Sequence, residues 1–478
     1  MTGPTPDALA AFQQLLEGTG TQGDAERPVV LTDALVGQEL GTVLRRCAVP
    51  HEFDRRLLEQ LGGFSETEAE QHFQEFSELS IMQFIGDSLS VHERWRKPLW
   101  SWWLEEEQRA GFVALNESLT EWFGASALAS GSETDERRQM FHLVGCRQDE
   151  GLHMFTELCR RARHRRSFPE CSLLICLVHE YEPVLAAPEC AVIAYHDGKL
   201  ASDLRDWERA RGLFHSVATE LAADSELQVI ALVREGHALR ELNRTEEALA
   251  VLQDARIRST GEAASELAWR ALYELGEIYR DLGQADLANR TLRDALDHAS
   301  KAGDRADVAG VLNSLGTVQR KLRDTDAAID SFHKSLEELE RRGDVMRPGA
   351  VFNNLGLAQM DKLEWDAAEA SFFASLECKR AAGDQLGQAN TLLNLSRAQL
   401  AQDKLALAQQ SAVQAGTLYG AVGDGRGQAR ALLGQARLAK RDRQAEAARG
   451  LFQQALECAT AAGDTDIAGR ARDELARA

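Results

Sequence analysis

The 478-residue chain has no run of apolar residues long enough to span a bilayer, which excludes a membrane helix. Its first residues, Met-Thr-Gly-Pro-Thr-Pro, have neither a basic start nor an apolar stretch. No secretory leader is expected, and the chain is read as cytoplasmic. Eight cysteines are scattered without a Cys-x-x-Cys pair; the closest two, Cys171 and Cys176, sit among Leu and Ile. Buried free thiols in a reducing compartment are the expectation. Catalytic signatures are missing as well. The one Gly-Lys pair, Gly198-Lys199, is followed by Leu200, so no phosphate-cradling Gly-x-x-x-x-Gly-Lys-Ser/Thr loop exists. His-Glu occurs at 51–52, 92–93 and 179–180, but no histidine follows three residues after the Glu, which excludes the zinc-protease helix. There is no Gly-x-Ser-x-Gly elbow. No catalytic residue, metal ligand or cofactor can be named, and a non-enzymatic chain is expected. The formal charge of −21 argues against general affinity for nucleic acid.

What the chain does have is a beat of forty residues. Leu275-Gly276, Leu315-Gly316 and Leu355-Gly356 repeat at that step, extended back to Gly236 and forward to Ser396 and Ala436. Gly303, Gly343, Gly383, Gly423 and Gly463 keep the same step, as do Ala248, Ala288, Ala328, Ala368, Ala408 and Ala448. Three registers locked to one period mean tandem helical repeats. In the unit from Asp304 to Gly343, Asp304 is an N-cap and Val308, Leu312, Leu315 and Gly316 mark one face of a first helix. Ala328, Phe332 and Ser335 mark a second helix, and Gly343 stands where a helix C′ residue adopts positive φ. Small residues at 316 and 328 allow close approach, with Phe332 beside them. A lone pair would leave an apolar face wet, so units must stack.

Upstream the organisation differs. Residues 1–29 read as a short helix (Asp7 to Leu16) and a mobile Gly/Thr-rich linker. In 30–125, Val36, Leu40, Val43 and Leu44, then Leu57, Leu58 and Leu61, follow helical spacing, and Ser65 with Glu68 gives a capping box. Met82 and Phe84, then Leu89 and Val91, alternate around Gly86-Asp87-Ser88 as a small β-hairpin. A Trp-rich helix pair follows from His92 to Trp122. Residues 126–137 read as a linker and 138–190 as irregular helical hairpins, with a basic run at Arg160–Arg166 that suits a solvated helix end better than a nucleic-acid patch. A degenerate first repeat (Gly198, Trp207, Ala210, Phe214) opens the 191–478 array of about seven units.

Leu-Gly, Ala twelve residues after the Gly, an aromatic or Leu four later and then a small residue is a pattern that resembles the tetratricopeptide (TPR) repeat, over Ala191 to Ala478. Three helices and a hairpin, with Leu-Arg-Arg-Cys-Ala-Val-Pro at 44–50 and Ser-Val-His-Glu-Arg-Trp-Arg at 90–96, resemble the winged-helix segment of STAND-class signalling NTPases. In that family a histidine at the position of His92 reaches the bound nucleotide; here Glu93 replaces its acidic partner and no phosphate loop is present, so a structural role is expected for His92. The resemblance implies an all-α-dominated fold, a superhelical TPR solenoid preceded by a winged-helix-like module. It also implies a sensor or scaffold arm of a bacterial signalling or defence assembly, with the effector or NTPase on another chain.

In that geometry the stripe beside each first helix's core face lines a concave groove. It holds Arg270, Tyr273, Glu277 and Arg280; Asn313, Thr317 and Arg320; Asn353, Asn354, Leu357 and Met360; Asn390, Asn394 and Arg397; and Arg430, Arg437 and Lys440. Asparagine carboxamides can pair with a ligand's backbone and the basic end can hold acidic groups, which suits a protein or peptide partner. The alternative for Asn354 and Asn394 is a bridge between neighbouring helices. A second functional reading is a transcriptional regulator, its winged helix on DNA through Arg45, Arg46, Arg55 and Arg56 and its array sensing a peptide or small ligand.

Overall fold

The computed structural model describes residues 27–221, 225–259, 264–302, 305–341, 343–344 and 347–476. The helix and linker expected before residue 27, and the roles expected of Gly303 and Asp304, lie outside the described residues. The chain divides into two compact units, with the break after Leu221. No helix among the described residues is long and apolar enough to cross a membrane.

The first unit begins with α1 (Arg27–Val36), α2 (Gln38–Cys47), α3 (Arg55–Gly62) and α4 (Glu66–Ser77). The Ser65 side chain accepts the Glu68 N–H, and the Glu68 carboxylate takes the Ser65 N–H at 2.8 Å, so the capping box forms as expected. The strands β1 (Met82–Ile85) and β2 (Ser88–Val91) pair antiparallel from Met82↔Val91 to Ile85↔Ser88. This leaves a two-residue Gly86-Asp87 turn, with Gly86 at φ +62°. Helices α5 (Glu93–Trp103), α6 (Arg109–Ser130), α7 (Glu133–Cys146), α8 (Gln148–His164), α9 (Phe168–His179), α10 (Ala187–Asp203) and α11 (Trp207–Glu220) follow. The linker expected at 126–137 is helical instead. Ala125, Ala127 and Ala129 favour α6 up to Ser130, and the break is only Gly131 (φ +66°) and Ser132, which caps α7 through the Asp135 N–H. One apolar core runs from Val43 through Leu89, Trp100, Phe141 and Tyr181 to Leu200.

The basic run at 160–166 ends α8 and is taken up by carboxylates. Arg160 pairs with Glu157, Arg161 with Glu136, Arg163 with Asp203 and Arg165 with Glu133, all within 2.7 Å. Of the eight free thiols, Cys47, Cys159 and Cys171 are buried, whereas Cys176 is exposed and the others are intermediate; burial as a general rule therefore fails.

The second unit is six helix pairs and a last helix: α12 (Glu226–Glu241) with α13 (Thr245–Arg258), α14 (Ala264–Asp281) with α15 (Ala285–Ala302), α16 (Arg305–Lys321) with α17 (Thr325–Arg341), α18 (Pro348–Asp361) with α19 (Trp365–Ala381), α20 (Gln385–Ala401) with α21 (Leu405–Ala421), α22 (Gly425–Arg441) with α23 (Ala445–Ala461), and α24 (Thr465–Ala476). The pairs meet where the small residues stand. A Cβ on Gly316 would lie 2.7 Å from the Phe332 ring, and one on Gly356 2.7 Å from Phe372. The same distance separates Gly198 of α10 from Phe214 of α11, so the degenerate unit packs like the regular ones. A polar tie recurs as well: Ser331 donates to Gln319, Ser371 to Gln359 and Ser411 to Gln399, each within 2.9 Å and twelve residues apart.

Gly343 has φ +65°, as its position predicted, and Gly383, Gly423 and Gly463 behave alike. The turn inside each pair also needs a left-handed residue, and there the sequence gives little sign of it. Asn243, Arg323, Leu363, Asp403 and Arg443 hold φ between 58° and 64°, with glycine only at 283. The left-handed region costs a non-glycine residue roughly 1–2 kcal/mol. Leu363 is two-thirds exposed, so its side chain returns little packing. Leu363→Gly is expected to raise stability by about 0.5–1 kcal/mol, read as a higher urea midpoint at unchanged m-value. A lower midpoint would show that the leucine packs after all.

Candidate functional site

First helices of consecutive pairs line one face of the second unit, and a cleft of about 1160 Å³ lies along α18, α20, α22 and α24. Eight of the seventeen stripe residues read from sequence meet there: Asn353, Asn354, Met360, Asn390, Asn394, Arg397, Arg430 and Arg437. Arg270 lines a separate, smaller cavity. Arg280 is held by Glu277 at 2.6 Å and by Asp281 at 2.9 Å, and Arg320 by Asp361 at 3.0 Å. Asn313 and Lys440 do not line the cleft, although each bonds a residue at or beside it.

The asparagines tie repeat to repeat. Asn354 Nδ2 donates to Asn313 Oδ1 at 3.0 Å, and Asn394 Nδ2 to Asn353 Oδ1 at 3.1 Å. The bridging alternative is thus the observed arrangement for both. Each amide group still has a second N–H to offer a ligand. Asn390 accepts from the Tyr419 hydroxyl at 2.7 Å.

The basic end is less uniform. Arg437 and Lys440 share one carboxylate, Glu474, at 3.4 and 3.1 Å. These two cations pull the Glu474 carboxyl below its usual range, the Lys440 hydrogen bond most of all. Arg397 and Arg430 are exposed and have no carboxylate partner among the described residues.

The cleft also contains groups that sequence reading missed. Lys379 of α19 is buried at its wall, and its ammonium rests on neutral oxygens, Thr391 Oγ1 at 2.7 Å and the Gly387 carbonyl at 3.2 Å. Burial pushes its pKa down, against a weaker pull upward from Asp384 and Cys378. Trp365, Leu393 and Leu433 add apolar wall, while Asp464, Asp466 and Arg470 come from the final helix and its entry. The last three were legible only by carrying the forty-residue register one half-unit further. No group of His, Cys, Asp or Glu among the described residues could hold a metal ion.

In the first unit, His92 caps α5 by accepting the Arg94 N–H on Nδ1 at 3.3 Å. Arg45 is buried against Asp33 at 2.7 Å, Arg46 donates to the Leu61 carbonyl at 2.8 Å, and Arg55 pairs with Glu70 at 2.5 Å.

Residues 268–340 match the family model described as tetratricopeptide repeat. No curated protein matches in sequence. Among solved structures, the chain is similar to a Signal Transduction ATPase with Numerous Domains (STAND) protein with a tetratricopeptide repeat sensor from Pyrococcus horikoshii. The identity is 12% and the TM-score 0.54, covering 99% of this chain and 70% of that one. It is also similar to the apo form of RapI, at 11% identity and a TM-score of 0.50, covering 68% of this chain and 96% of that one. By family model and by fold, the chain carries tetratricopeptide repeats.

Proposed function

We propose that the chain is a non-enzymatic recognition subunit that binds a segment of a partner protein in the α18–α24 cleft, on behalf of an effector carried by another chain of a signalling or defence assembly. The observation that carries this is the pair Arg397 and Arg430. They are exposed in one cleft, without a carboxylate, in a chain of net charge −21. Surface arginines in an acidic protein find partners easily, as Arg160 to Arg165 do; two left open beside asparagine amides favour an acidic segment supplied from outside. The likeness to a repeat sensor of a STAND protein, and the helices-then-hairpin order of 27–91, support a sensor arm with a winged-helix-like module. The DNA-binding alternative loses support, because Arg45 and Arg46 are spent on internal contacts and Arg55 pairs with Glu70 at the surface, which leaves only Arg56 of its four arginines.

The test is affinity capture from the native source read by mass spectrometry, with wild type beside Arg397→Glu/Arg430→Glu. The double variant is expected to lose its partner at least about tenfold, because attraction at two positions becomes repulsion. Its thermal unfolding curve is expected to stay unchanged, since neither arginine holds an ion pair. Capture of the same partner in the same yield overturns the assignment.

A further inference from the structure

The first unit holds a cavity of its own, about 210 Å³, between the loop that joins α2 to α3 and the helices α6, α7 and α9. Phe123 of α6, Phe141 of α7 and Leu173 and Leu177 of α9 make most of its wall apolar. Its volume is somewhat above the roughly 150 Å³ of an engineered cavity that takes up benzene, so it admits one ring with a small substituent. The ionic groups beside it are matched among themselves. His51 pairs with Glu180 at 2.8 Å, and Arg138 pairs with Glu52 and, at 3.0 Å, with Asp135. Arg137 donates to Thr134 Oγ1 at 3.1 Å.

One polar group of this wall is unmatched. His142 is only 1% exposed, stacked on Phe123 with the ring planes 6° apart and edge-on to Phe141. The network behind it fixes its proton. Asn116 Nδ2 donates to the Phe112 carbonyl at 2.9 Å, so the amide presents Oδ1 on its other side, where the Tyr181 hydroxyl donates at 3.3 Å. His142 Nδ1 stands 2.9 Å from that same oxygen, which can only accept, so Nδ1 carries the hydrogen. The neutral imidazole then keeps a lone pair on Nε2. Nε2 has no partner among the described residues, and with Nδ1 turned into the core the Nε2 edge is the one that meets the cavity. An apolar hollow with one fixed acceptor in its wall is complementary to an apolar body with one donor.

We propose that this cavity is a second binding site, in the first unit and independent of the α18–α24 cleft, for a small neutral aromatic molecule with one hydrogen-bond donor. Its ring packs against Phe123, Phe141 and Leu177, and its hydroxyl or ring N–H donates to His142 Nε2. Water can satisfy the nitrogen but leaves the apolar wall wet, whereas a donor-bearing ring does both. Because the neighbouring charges are already paired, an anionic group gains nothing there that a neutral one lacks.

Calorimetric titration of the full chain with phenol, anisole and benzoate tests this. Phenol is expected to bind at least about tenfold tighter than anisole, which keeps the ring and oxygen but has no donor, and than benzoate, which has charge but no donor. Nitrogen NMR of the histidine rings is expected to show one unprotonated Nε2 resonance that moves with phenol and stays still with anisole. His142→Phe keeps the stacked ring and removes the acceptor, so the preference for phenol over anisole is expected to vanish. Leu177→Trp, which fills the cavity and keeps His142, is expected to abolish binding of both, with the thermal unfolding curve checking that it folds. Arg397→Glu/Arg430→Glu is expected to leave phenol binding intact, which separates this site from the cleft. Equal binding of phenol and anisole, tighter binding of benzoate, or full phenol binding by Leu177→Trp overturns the proposal. N-acetyltyrosine amide binding more tightly than phenol would make the occupant a tyrosine of a partner protein, and would overturn the small-molecule assignment.

Discussion

Phe372→Ala is expected to destabilise the repeat unit by about 3–5 kcal/mol, the usual cost of emptying a fully buried phenylalanine site. The ring sits in the angle between α18 and α19, where Gly356 makes room for it. In a stacked array each unit contacts only its neighbours, so the loss falls on α18 to α21 and weakens their coupling to units on both sides. Equilibrium urea unfolding followed by circular dichroism measures it. A loss below about 1 kcal/mol would mean that neighbours collapse into the gap. The Gly–Phe fit can be tested independently of the cavity. Gly356→Ser alone drives a Cβ toward a ring that cannot retreat, and is expected to cost about 1–3 kcal/mol. One unit further on, the sequence has Ser396 and Ala412 at the same two positions, and Ser396 donates to the Ala408 carbonyl at 2.7 Å. Gly356→Ser with Phe372→Ala recreates that pair. The double variant is expected to be more stable than the sum of the singles by at least about 1 kcal/mol. Strict additivity would show that the glycine and the ring do not constrain each other.

These positions also show why so much of the fold could be read in advance. A forty-residue register in Gly, Ala and Phe reports close packing between helices of one pair, and close packing tolerates few residues. Gly343 and the Ser65–Glu68 box were readable for a related reason, because the backbone conformation or cap restricts the residue type. The turns at Arg323 and Leu363 were not, because the neighbouring structure imposes positive φ on residues that do not advertise it. The α6–α7 junction was misread on composition, where alanine helix propensity outweighed the Ser and Gly around it.

The candidate cleft was half legible for a geometric reason. The forty-residue ladder places 313 beside 353, yet contacts along the inner face fall one residue beyond the period. Asn313 meets Asn354, Asn353 meets Asn394, Arg320 meets Asp361, and Tyr273 meets Ser314. That one-residue stagger decides which amide is spent on a neighbour and which arginine is neutralised. It arises from how first helices pack across the repeat interface, and no single unit contains it. Lys379 is the same lesson from a second helix, reaching the cleft wall through a Thr391 that only the fold brings near.

Acid is expected to destabilise the first unit well before its carboxylates titrate, through two buried histidines. His142 lies in the core, with Nδ1 on Asn116 Oδ1 at 2.9 Å and its ring stacked on Phe123. Burial drives its pKa well below the ordinary 6.5, helped by the charges of His51, Arg96 and Arg138. His196 packs against Phe155, and its Nδ1 has no partner among the described residues. Burial, with Lys199 and Arg163, brings its pKa down to about 3. Both rings therefore stay neutral in the fold at pH values where the unfolded chain's imidazoles hold a proton. The unfolded state binds more protons, so stability falls as pH drops from 6.5 toward 3. For His196 alone, the loss by about pH 4.5 amounts to roughly 2.5 kcal/mol. Tryptophan fluorescence is a suitable readout, since Trp95, Trp100, Trp102, Trp103, Trp122 and Trp207 of the eight lie in this unit. Its urea midpoint is expected to fall steadily between pH 7 and about 4.5. In His196→Leu that slope is expected to shrink by the His196 share, while the midpoint at pH 7 stays near wild type because the ring was neutral there. A midpoint indifferent to pH over this range, or a His196→Leu variant with the full wild-type slope, would place the proton uptake elsewhere in the chain.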